Sequence, residues 1–227
     1  MSGAAERVDR ALGGRLRRQV GDECDPGFVG IERLDGPVMA VRGIRGVLRP
    51  GVESTLRLTI DEVTIAGDTW RNVRVACPQL KQARDEFLCE EATIEAPAKV
   101  AASFRYSTQT KNLDVALRPA ANEVWRLVIS TTAAGRRIVA DINNAPVARF
   151  KGWWPRTWPQ PNAGTLSGRL AMDETPALAL QGQLALVNFG FADDSGMHAA
   201  EKINTVWTLD ANQEGARWRW QSRLDWK

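Results

Sequence analysis

The stretch 217–226, at the end of the chain, alternates between apolar and polar side chains with a period of two. One parity carries large apolar residues, namely Trp218, Trp220, Leu224 and Trp226, while the other carries arginine, glutamine and aspartate. This alternation is typical of a β-strand with one apolar and one polar face. Because Lys227 follows without another strand to cover the tryptophans, we expect the chain to be a piece of a longer β-structure.

The same alternation recurs through most of the sequence. It is clearest in the stretches 56–60, 73–77, 104–106, 113–117, 125–129 and 138–142. Turn-forming residues separate successive stretches, and no sustained helical period lies between them, which predicts an antiparallel meander. We expect a mainly β fold, with an elongated and curled sheet that is open or half-closed and has an apolar inner face.

One helix is expected, at the N-terminus. Val8, Leu12 and Leu16 recur at four-residue spacing among charged residues, which predicts an amphipathic helix within residues 1–20. Residues 21–227 are expected to form a single elongated antiparallel β domain. Three prolines in the segment 151–163 exclude a central strand there and predict a loop or corner.

Two local expectations concern the second half of the chain. The sequence Leu-Gln-Gly-Gln-Leu at 180–184 predicts a tight turn between two short strands. The segment 198–202, which follows a polar stretch, predicts a short helix.

The charge distribution argues against nucleic-acid binding. The formal net charge is +3 and the pI is about 9.0. Residues 1–20 carry five arginines against two acidic residues, so the rest of the chain is neutral. Basic residues there alternate with acidic and apolar ones, which is a solvated sheet face and not a phosphate-binding stripe.

The sequence contains neither a transmembrane helix nor a signal peptide. The longest uncharged run, 175–192, is broken by proline, glycine and amide residues. The first ten residues lack an apolar core segment. If the natural protein enters the cell envelope, we expect it to contact the membrane through a segment that is absent from this chain.

Three cysteines leave two readings open. Cys77 and Cys89 flank the charged stretch 81–85, so they lie opposite one another if that stretch joins two paired strands. A cross-strand disulfide would then be possible and would indicate an oxidising compartment. The alternative is two buried free thiols, and the spacing does not decide between them. Cys24 is left over.

Residues that could carry chemistry are sparse. His198 is the one histidine of the sequence and lies in a polar stretch, and no CxxC motif is present. A catalytic triad and a zinc site both need groupings that these residues do not supply. Paired carboxylates such as Asp61-Glu62 are typical of any soluble surface. We therefore expect no enzyme, no metal and no cofactor.

Tryptophan is unusually frequent, with nine in the chain against one tyrosine. The proline-rich segment contains Trp153, Trp154 and Trp158. Residues of a hydrophobic core are not expected in such a segment. The three tryptophans are candidates for an anchor at a membrane interface or partner surface. The alternative is a corner plug that seals one edge of the sheet.

The pattern as a whole resembles a known family. A short amphipathic helix leads into an uninterrupted meander that includes Ser-Thr-Leu-Arg-Leu-Thr-Ile at 54–60 and Gly-Thr-Leu-Ser-Gly-Arg-Leu at 164–170. In this the chain is similar to the AsmA-like and TamB-like envelope proteins of Gram-negative bacteria. The resemblance implies a periplasmic β-sheet, anchored to the inner membrane in the full-length protein, that moves phospholipid towards the outer membrane.

An apolar sheet face could contact acyl chains without any catalytic group, at a gain of about 0.8 kcal/mol for each methylene removed from water. The expected partners are therefore phospholipid or another acyl lipid and other envelope proteins, and not nucleic acid. An alternative is a structural module of an envelope machine such as type II secretion, whose apolar strip packs on protein. The groove-lining candidates are Leu56, Leu58, Ile60, Val73, Val75, Phe104, Leu127, Ile129, Trp207, Leu209, Trp218, Trp220, Leu224 and Trp226.

Overall fold

The computed structural model describes residues 27–35, 39–50, 54–65, 68–96, 98–133, 135–154, 157–175, 177–193 and 197–226. It contains thirteen strands whose order in the sheet follows the chain from β1 to β13 without closing. The strands are β1 Gly27–Asp35, β2 Met39–Arg49, β3 Ser54–Ile65, β4 Asp68–Ala83, β5 Glu86–Ala96, β6 Ala98–Ser107, β7 Leu113–Ala120, β8 Glu123–Thr132, β9 Gly135–Pro146, β10 Gln160–Asp173, β11 Ala179–Ala192, β12 Ala199–Glu214 and β13 Arg217–Trp226. The expected mainly β antiparallel meander is confirmed.

Backbone contacts divide the chain into two compact units, Met1–Ser103 and Phe104–Lys227. The helix expected within residues 1–20, and Cys24, lie outside the described residues. A 3-10 helix, Val147–Trp153, and a short loop join β9 to β10. The expected corner at 151–163 falls on this connection, although β10 already begins at Gln160.

Short hairpin turns set the register of the meander. Two residues separate the paired ends of β4 and β5, of β7 and β8, and of β12 and β13. In the last of these turns Gly215 has a φ of +62°, a conformation that L side chains rarely adopt. Thr132 pairs with Gly135 at the end of the expected β8–β9 hairpin.

Two local expectations are wrong. The segment 180–184 is not a turn, because β11 runs through it and pairs with both β10 and β12. Gly182 belongs to this ladder, where the side chain of Leu170 occupies the space beside it. The segment 198–202 is not a helix either: β12 begins at Ala199, and a φ of +58° at Lys202 marks a local irregularity in the strand.

Four neighbouring strands of the second unit each contain a residue with positive φ: Asn144 in β9, Gly164 in β10, Asn188 in β11 and Lys202 in β12. The pairing register shifts near these positions. Such β-bulges bend a strand and increase its twist. Gly164 is required at its position, because a Cβ would lie 2.7 Å from the Cα of Phe189 and the φ is +106°.

Cys77 and Cys89 form a disulfide between β4 and β5 in the first unit, with Cα atoms 6.2 Å apart. The residue opposite Cys89 in the ladder is Leu80, so the expectation that the cysteines face each other directly is wrong. Pro78 follows Cys77 and has no N–H to donate, which explains why the regular alternation of β4 breaks here.

The break in alternation produces a small buried cluster. Cys77 and Leu80 are both buried on β4, and Cys89 and Ala92 are both buried on β5, although three positions separate the members of each pair. Residues three apart on a regular strand face opposite sides of the sheet. The irregular segments therefore turn all four side chains into the same cluster, and the disulfide joins the two strands within it.

We expect the disulfide to stabilise the first unit. The bridge spans a sequence separation of 12 residues, and closing a loop of this size contributes about 3 kcal/mol. Replacing both Cys77 and Cys89 with alanine should lower the free energy of unfolding by about that amount, measured by urea denaturation. Cys24→Ser is the matched control and should leave it unchanged. Equal stability of the wild type and the double variant would contradict the prediction.

Candidate functional site

The second unit has one continuous apolar face that crosses seven strands. The antiparallel register aligns inward residues of β7–β13 in rows, and each row crosses every strand. One row is Leu113, Ile129, Ile138, Met172, Leu180, Ala211 and Trp220; another is Leu117, Trp125, Ile142, Gly168, Leu184, Trp207 and Leu224. Between them lie Val115, Leu127, Ala140, Leu170, Gly182, Leu209 and Ser222. We call this surface the apolar face.

Most side chains of the apolar face keep part of their surface in contact with solvent. The leucines, isoleucines and valine of β7–β10 in these rows are half-buried, except Leu127, which is 37% exposed. Exposure rises on β13, where Trp220 is 70% and Trp226 is 67% exposed. The face is therefore available for contact with another apolar surface or an apolar ligand.

The opposite side of the same strands is mainly polar, although Val139 and Ala171 are buried there. One row there contains Ala116, Arg126, Asp141, Arg169, Gln183, Thr208 and Arg223. Arg126 donates two hydrogen bonds to the Asp114 carboxylate, at 2.9 Å and 2.6 Å. This hydrogen bonding lowers the pKa of Asp114 and raises that of Arg126. These ion pairs keep one side of the sheet hydrated while the other side stays apolar.

A depression of about 470 Å³ lies on this polar side. Long side chains, including Arg137, Arg169 and Arg223, stand around the short side chains of Ala171 and Thr208. Its charged rim makes it unsuitable for an acyl chain, because a hydrocarbon there would desolvate guanidinium groups without replacing their hydrogen bonds.

The 3-10 helix closes one end of the apolar face. Phe150 stacks on Trp125, with ring centroids 5.9 Å apart and an interplanar angle of 10°. Arg149 reaches Glu123, which has the same parity as Trp125 on β8 and is only 1% exposed. Val147, at the start of the helix, is 3% exposed. The helix thus covers the end of the face that the bulges adjoin.

The Glu123–Arg149 pair holds this cover in place. The guanidinium donates to both carboxylate oxygens, with Nε–Oε1 and Nη2–Oε2 distances of 2.6 Å. Trp125 donates a further hydrogen bond from Nε1 to Oε1 at 2.9 Å. The hydrogen bond to Glu123 raises the pKa of Arg149. A buried carboxylate has to be paired with a cation and hydrogen-bonded in this way, because an unpaired charge in the same place would lower the stability of the fold by several kcal/mol.

Trp154 and Trp158, two of the three tryptophans of the connection, lie in different environments. Trp154 is half-buried, donates a hydrogen bond from Nε1 to the carbonyl of Pro159 at 3.0 Å, and packs on Phe189 with centroids 6.0 Å apart. Trp158 packs edge-on against Trp154 but is 59% exposed. The side chain of Trp153 lies outside the described part. Trp154 thus packs into this corner, whereas most of the Trp158 side chain stays exposed.

The groove-lining candidates fall into separate groups. Eight of them share the apolar face of the second unit: Leu127, Ile129, Trp207, Leu209, Trp218, Trp220, Leu224 and Trp226. In the first unit the register aligns Leu56, Leu58 and Ile60 of β3 with Cys77, Val75 and Val73 of β4. Val73 and Cys77 are buried, whereas the remaining four residues are half-buried. Phe104 lies in β6 and is half-buried.

Sequence reasoning missed several members of the apolar face and its closure. Leu170 and Leu184 lie at its centre, but Gly168 and Gly182 interrupt the apolar alternation of β10 and β11. Glu123 resembles any exposed turn residue in the sequence, and only the fold brings Arg149 over it.

No candidate metal site is found among the described residues. No group of three or more histidine, cysteine, aspartate or glutamate side chains there could hold a metal ion. His198 Nδ1 lies 2.7 Å from Asp193 Oδ2, and the histidine side chain is 72% exposed. A backbone hydrogen bond from Asp193 to the carbonyl of His198 closes the same loop. In the described segments, no helix has both the length and the apolar character needed to cross a bilayer.

We expect Arg149→Ala to destabilise the second unit by about 3–5 kcal/mol, because it leaves the buried Glu123 carboxylate without its charged partner. Thermal and urea unfolding should both report the loss. Lys151→Ala, an exposed change in the same 3-10 helix, is the control and should have little effect. A loss of less than 1 kcal/mol would contradict this role.

Comparison of the chain with protein-family models, curated proteins and solved structures finds no match. The resemblance to AsmA-like proteins consequently rests on the sequence pattern, and the function is inferred from the geometry of the site.

Proposed function

We propose that the chain is a non-enzymatic β-sheet segment that binds or conducts the acyl chains of phospholipid in the cell envelope. The observation that carries the proposal is the half-exposed apolar face, which is continuous across seven strands of the second unit. When an acyl chain binds to this face, its methylenes and the leucine and isoleucine side chains that they contact are both removed from water. Each methylene transferred contributes about 0.8 kcal/mol.

The composition of the face suits a lipid better than a polar ligand. Its central rows contain leucine, isoleucine, valine, methionine and tryptophan, with Ser222 as the one hydroxyl in the three rows described above. Apart from the Ser222 hydroxyl and the tryptophan N–H groups, a surface of this kind offers a head group no side-chain hydrogen bonds. We infer that the head group stays in water at the margin of the sheet while the acyl chain lies across the strands.

A periplasmic location is part of the proposal. The Cys77–Cys89 disulfide joins two side chains that are almost fully buried. Disulfides persist in oxidising compartments and are rare in the cytosol. Together with the resemblance to AsmA-like proteins, this supports a segment of an inner-membrane-anchored protein that carries phospholipid towards the outer membrane.

A structural module of an envelope machine, such as type II secretion, is the second candidate. It is favoured by the concentration of exposed tryptophan on β13, since aromatic residues are enriched at the centres of protein interfaces. In that case protein, and not lipid, would cover the apolar face.

Photo-cross-linking can separate the two candidates. A benzophenone amino acid in place of Leu127 lies on the apolar face, while the same group in place of Arg126 lies on the polar side of the same strand. Lipid transport predicts cross-links to phospholipid from position 127 and not from position 126, in protein isolated from membranes and analysed by mass spectrometry. Cross-links to protein alone from position 127 would favour the structural module.

A charge on the face should block binding without unfolding the protein. Leu127 is 37% exposed, so a glutamate there can reach water and should cost less than about 1.5 kcal/mol of stability. We expect Leu127→Glu to reduce phospholipid cross-linking from a probe at Leu209 by at least tenfold while the melting temperature changes by only a few degrees. Undiminished cross-linking in this folded variant would contradict the lipid proposal.

A further inference from the structure

The polar side of the second unit contains a hollow with a small side chain at its floor. Ala171 lies on β10, with Val139 of β9 opposite it in one ladder and Gln181 of β11 opposite it in the other. Ala171 is 7% exposed and Val139 is 5% exposed, although both face the polar side. Ala171 belongs to the lining of the depression of about 470 Å³ described above. We call the part of this depression around Ala171 the Ala171 hollow.

Two arginines flank Ala171 from opposite directions. Arg169 lies two residues before Ala171 on β10, whereas Arg137 of β9 lies opposite Asp173, two residues after Ala171. Because a strand rises about 3.4 Å per residue and neighbouring strands lie about 4.8 Å apart, both arginine Cα atoms lie about 7–8 Å from that of Ala171. An extended arginine side chain spans this distance, and both side chains line the depression. Two guanidinium groups can therefore reach one ligand above Ala171.

Both guanidinium groups have N–H donors left for a ligand. The Arg137 Nη1–Asp173 Oδ1 distance is 3.6 Å, and the Arg169 Nε–Asp141 Oδ1 distance is 3.8 Å. These are ion pairs without a hydrogen bond, because N–H···O hydrogen bonds are about 2.7–3.2 Å long. Arg126, on the same side of the sheet, instead donates two hydrogen bonds of 2.9 Å and 2.6 Å to its carboxylate partner.

Amide side chains add further donors to the hollow. Gln181, Gln183 and Gln221 all line the depression. Gln183 lies opposite Arg169 in the ladder between β10 and β11, and its side chain makes no hydrogen bond with the described residues. The Gln181 amide already donates to Asp210 at 3.4 Å. Gln183 is therefore the amide best placed to bind a ligand together with the arginines.

The charge of the lining favours an anion. The lining contains three arginines, since Arg223 joins the two described above, and one acidic residue, Asp210. The Asp210 carboxylate already accepts a hydrogen bond from Asn212 at 2.9 Å. The aspartates that pair with the three arginines lie outside the lining; they are Asp141, Asp173 and Asp225. An anion in the hollow would therefore meet mainly hydrogen-bond donors.

A phosphate group fits this arrangement better than a carboxylate. Guanidinium groups bind both kinds of anion through pairs of parallel hydrogen bonds. A phosphate carries more acceptor oxygens than a carboxylate, so different oxygens can accept from two guanidinium groups and from an amide at the same time. The donors around Ala171 approach from both strand directions and from the neighbouring strand, which matches a tetrahedral group.

We propose that the Ala171 hollow binds a phosphate group, with Arg137 and Arg169 donating from opposite sides and Gln183 as a third donor. The phosphate can belong to a soluble phosphate ester or to the head group of a phospholipid, which present the same chemistry. The hollow and the apolar face lie on opposite sides of the sheet. The site therefore does not rest on the proposed function.

Isothermal titration of the purified 227-residue chain with glycerol 3-phosphate tests the site. We expect saturable binding that Arg169→Gln weakens about tenfold or more, because it removes charged hydrogen bonds to the ligand. The Arg169 side chain is 61% exposed, so this variant should keep the melting temperature of the wild type. Arg126→Gln removes the same charge from the same side of the sheet, away from the hollow, and should change the affinity less than about twofold.

Filling the hollow provides a second measurement that leaves every charge in place. Ala171→Leu puts a larger side chain where the phosphate would lie, so it should weaken binding as strongly as Arg169→Gln. A general attraction of anions to surface arginines would not change in this variant. Thermal unfolding of Ala171→Leu shows whether the fold is kept, and Arg169→Gln tests the site independently of that result.

Vesicles distinguish the two sources of phosphate. Co-sedimentation with phosphatidylglycerol vesicles that Arg169→Gln abolishes, without binding of glycerol 3-phosphate, would identify a lipid head group as the ligand. Binding of glycerol 3-phosphate without co-sedimentation would identify a soluble ester. Either result supports the phosphate site.

Binding of neither probe would overturn the proposal. Equal losses in Arg126→Gln and Arg169→Gln, or undiminished binding by a folded Ala171→Leu variant, would show unspecific attraction and overturn it too. Lipid on the apolar face is reported separately by the probe at Leu127, so the two proposals can fail independently.

Discussion

The register of the antiparallel ladders is the constraint on which the second unit depends. A strand shifted by one residue would exchange all its inward and outward side chains, because side-chain direction alternates with a period of two. From Leu113 on β7 to Trp220 on β13, each ladder keeps apolar residues opposite apolar residues. Two-residue hairpin turns at both ends of this series help to fix that register, and the cross-strand ion pairs on the polar side match it.

A single sheet layer cannot bury its own apolar face. In the described part of the second unit, the 3-10 helix covers one end of this face. There the bulges at Asn144, Gly164, Asn188 and Lys202 interrupt the regular ladders, and the 3-10 helix covers the surface beside them. The cost of placing the Glu123 carboxylate under this cover is offset by four hydrogen bonds from Arg149 and Trp125 that are 2.9 Å or shorter. The rest of the face stays half-exposed.

Much of the fold follows from local pattern, because alternation and turn residues act over short distances. The alternation at 217–226, the hairpin at Gly135 and the meander order all come from such signals. The prediction of a turn at 180–184 was wrong, because glycine is also accommodated in a strand when a neighbouring side chain fills the space beside it. At Gly182 that side chain is Leu170. A glycine between two glutamines gives no local sign of which role it has.

The candidate site was less predictable than the fold, because it depends on which residues the ladders align. Alternation on β8, β12 and β13 places Leu127, Leu209 and Trp220 on one surface only if the intervening strands keep register. The closure by Glu123 and Arg149 joins residues 26 positions apart, one of which looks like a turn residue and the other like a surface arginine. Trp154 and Trp158 are close in sequence, yet packing on Phe189 half-buries the first while the second stays exposed.

The distribution of exposure across the apolar face argues that its occupant changes along the sheet. In the middle, leucine and isoleucine side chains on adjacent strands shield one another, which leaves a shallow, smooth surface suited to a flexible acyl chain. At β13 no further described strand supplies such shielding, and the residues there are tryptophans, which bury large areas at low conformational cost. Rigid aromatic side chains of this kind suit contact with protein better than contact with a lipid. The centre and the edge of one face can therefore serve different partners, and covering the edge with protein would extend the central surface and not obstruct it.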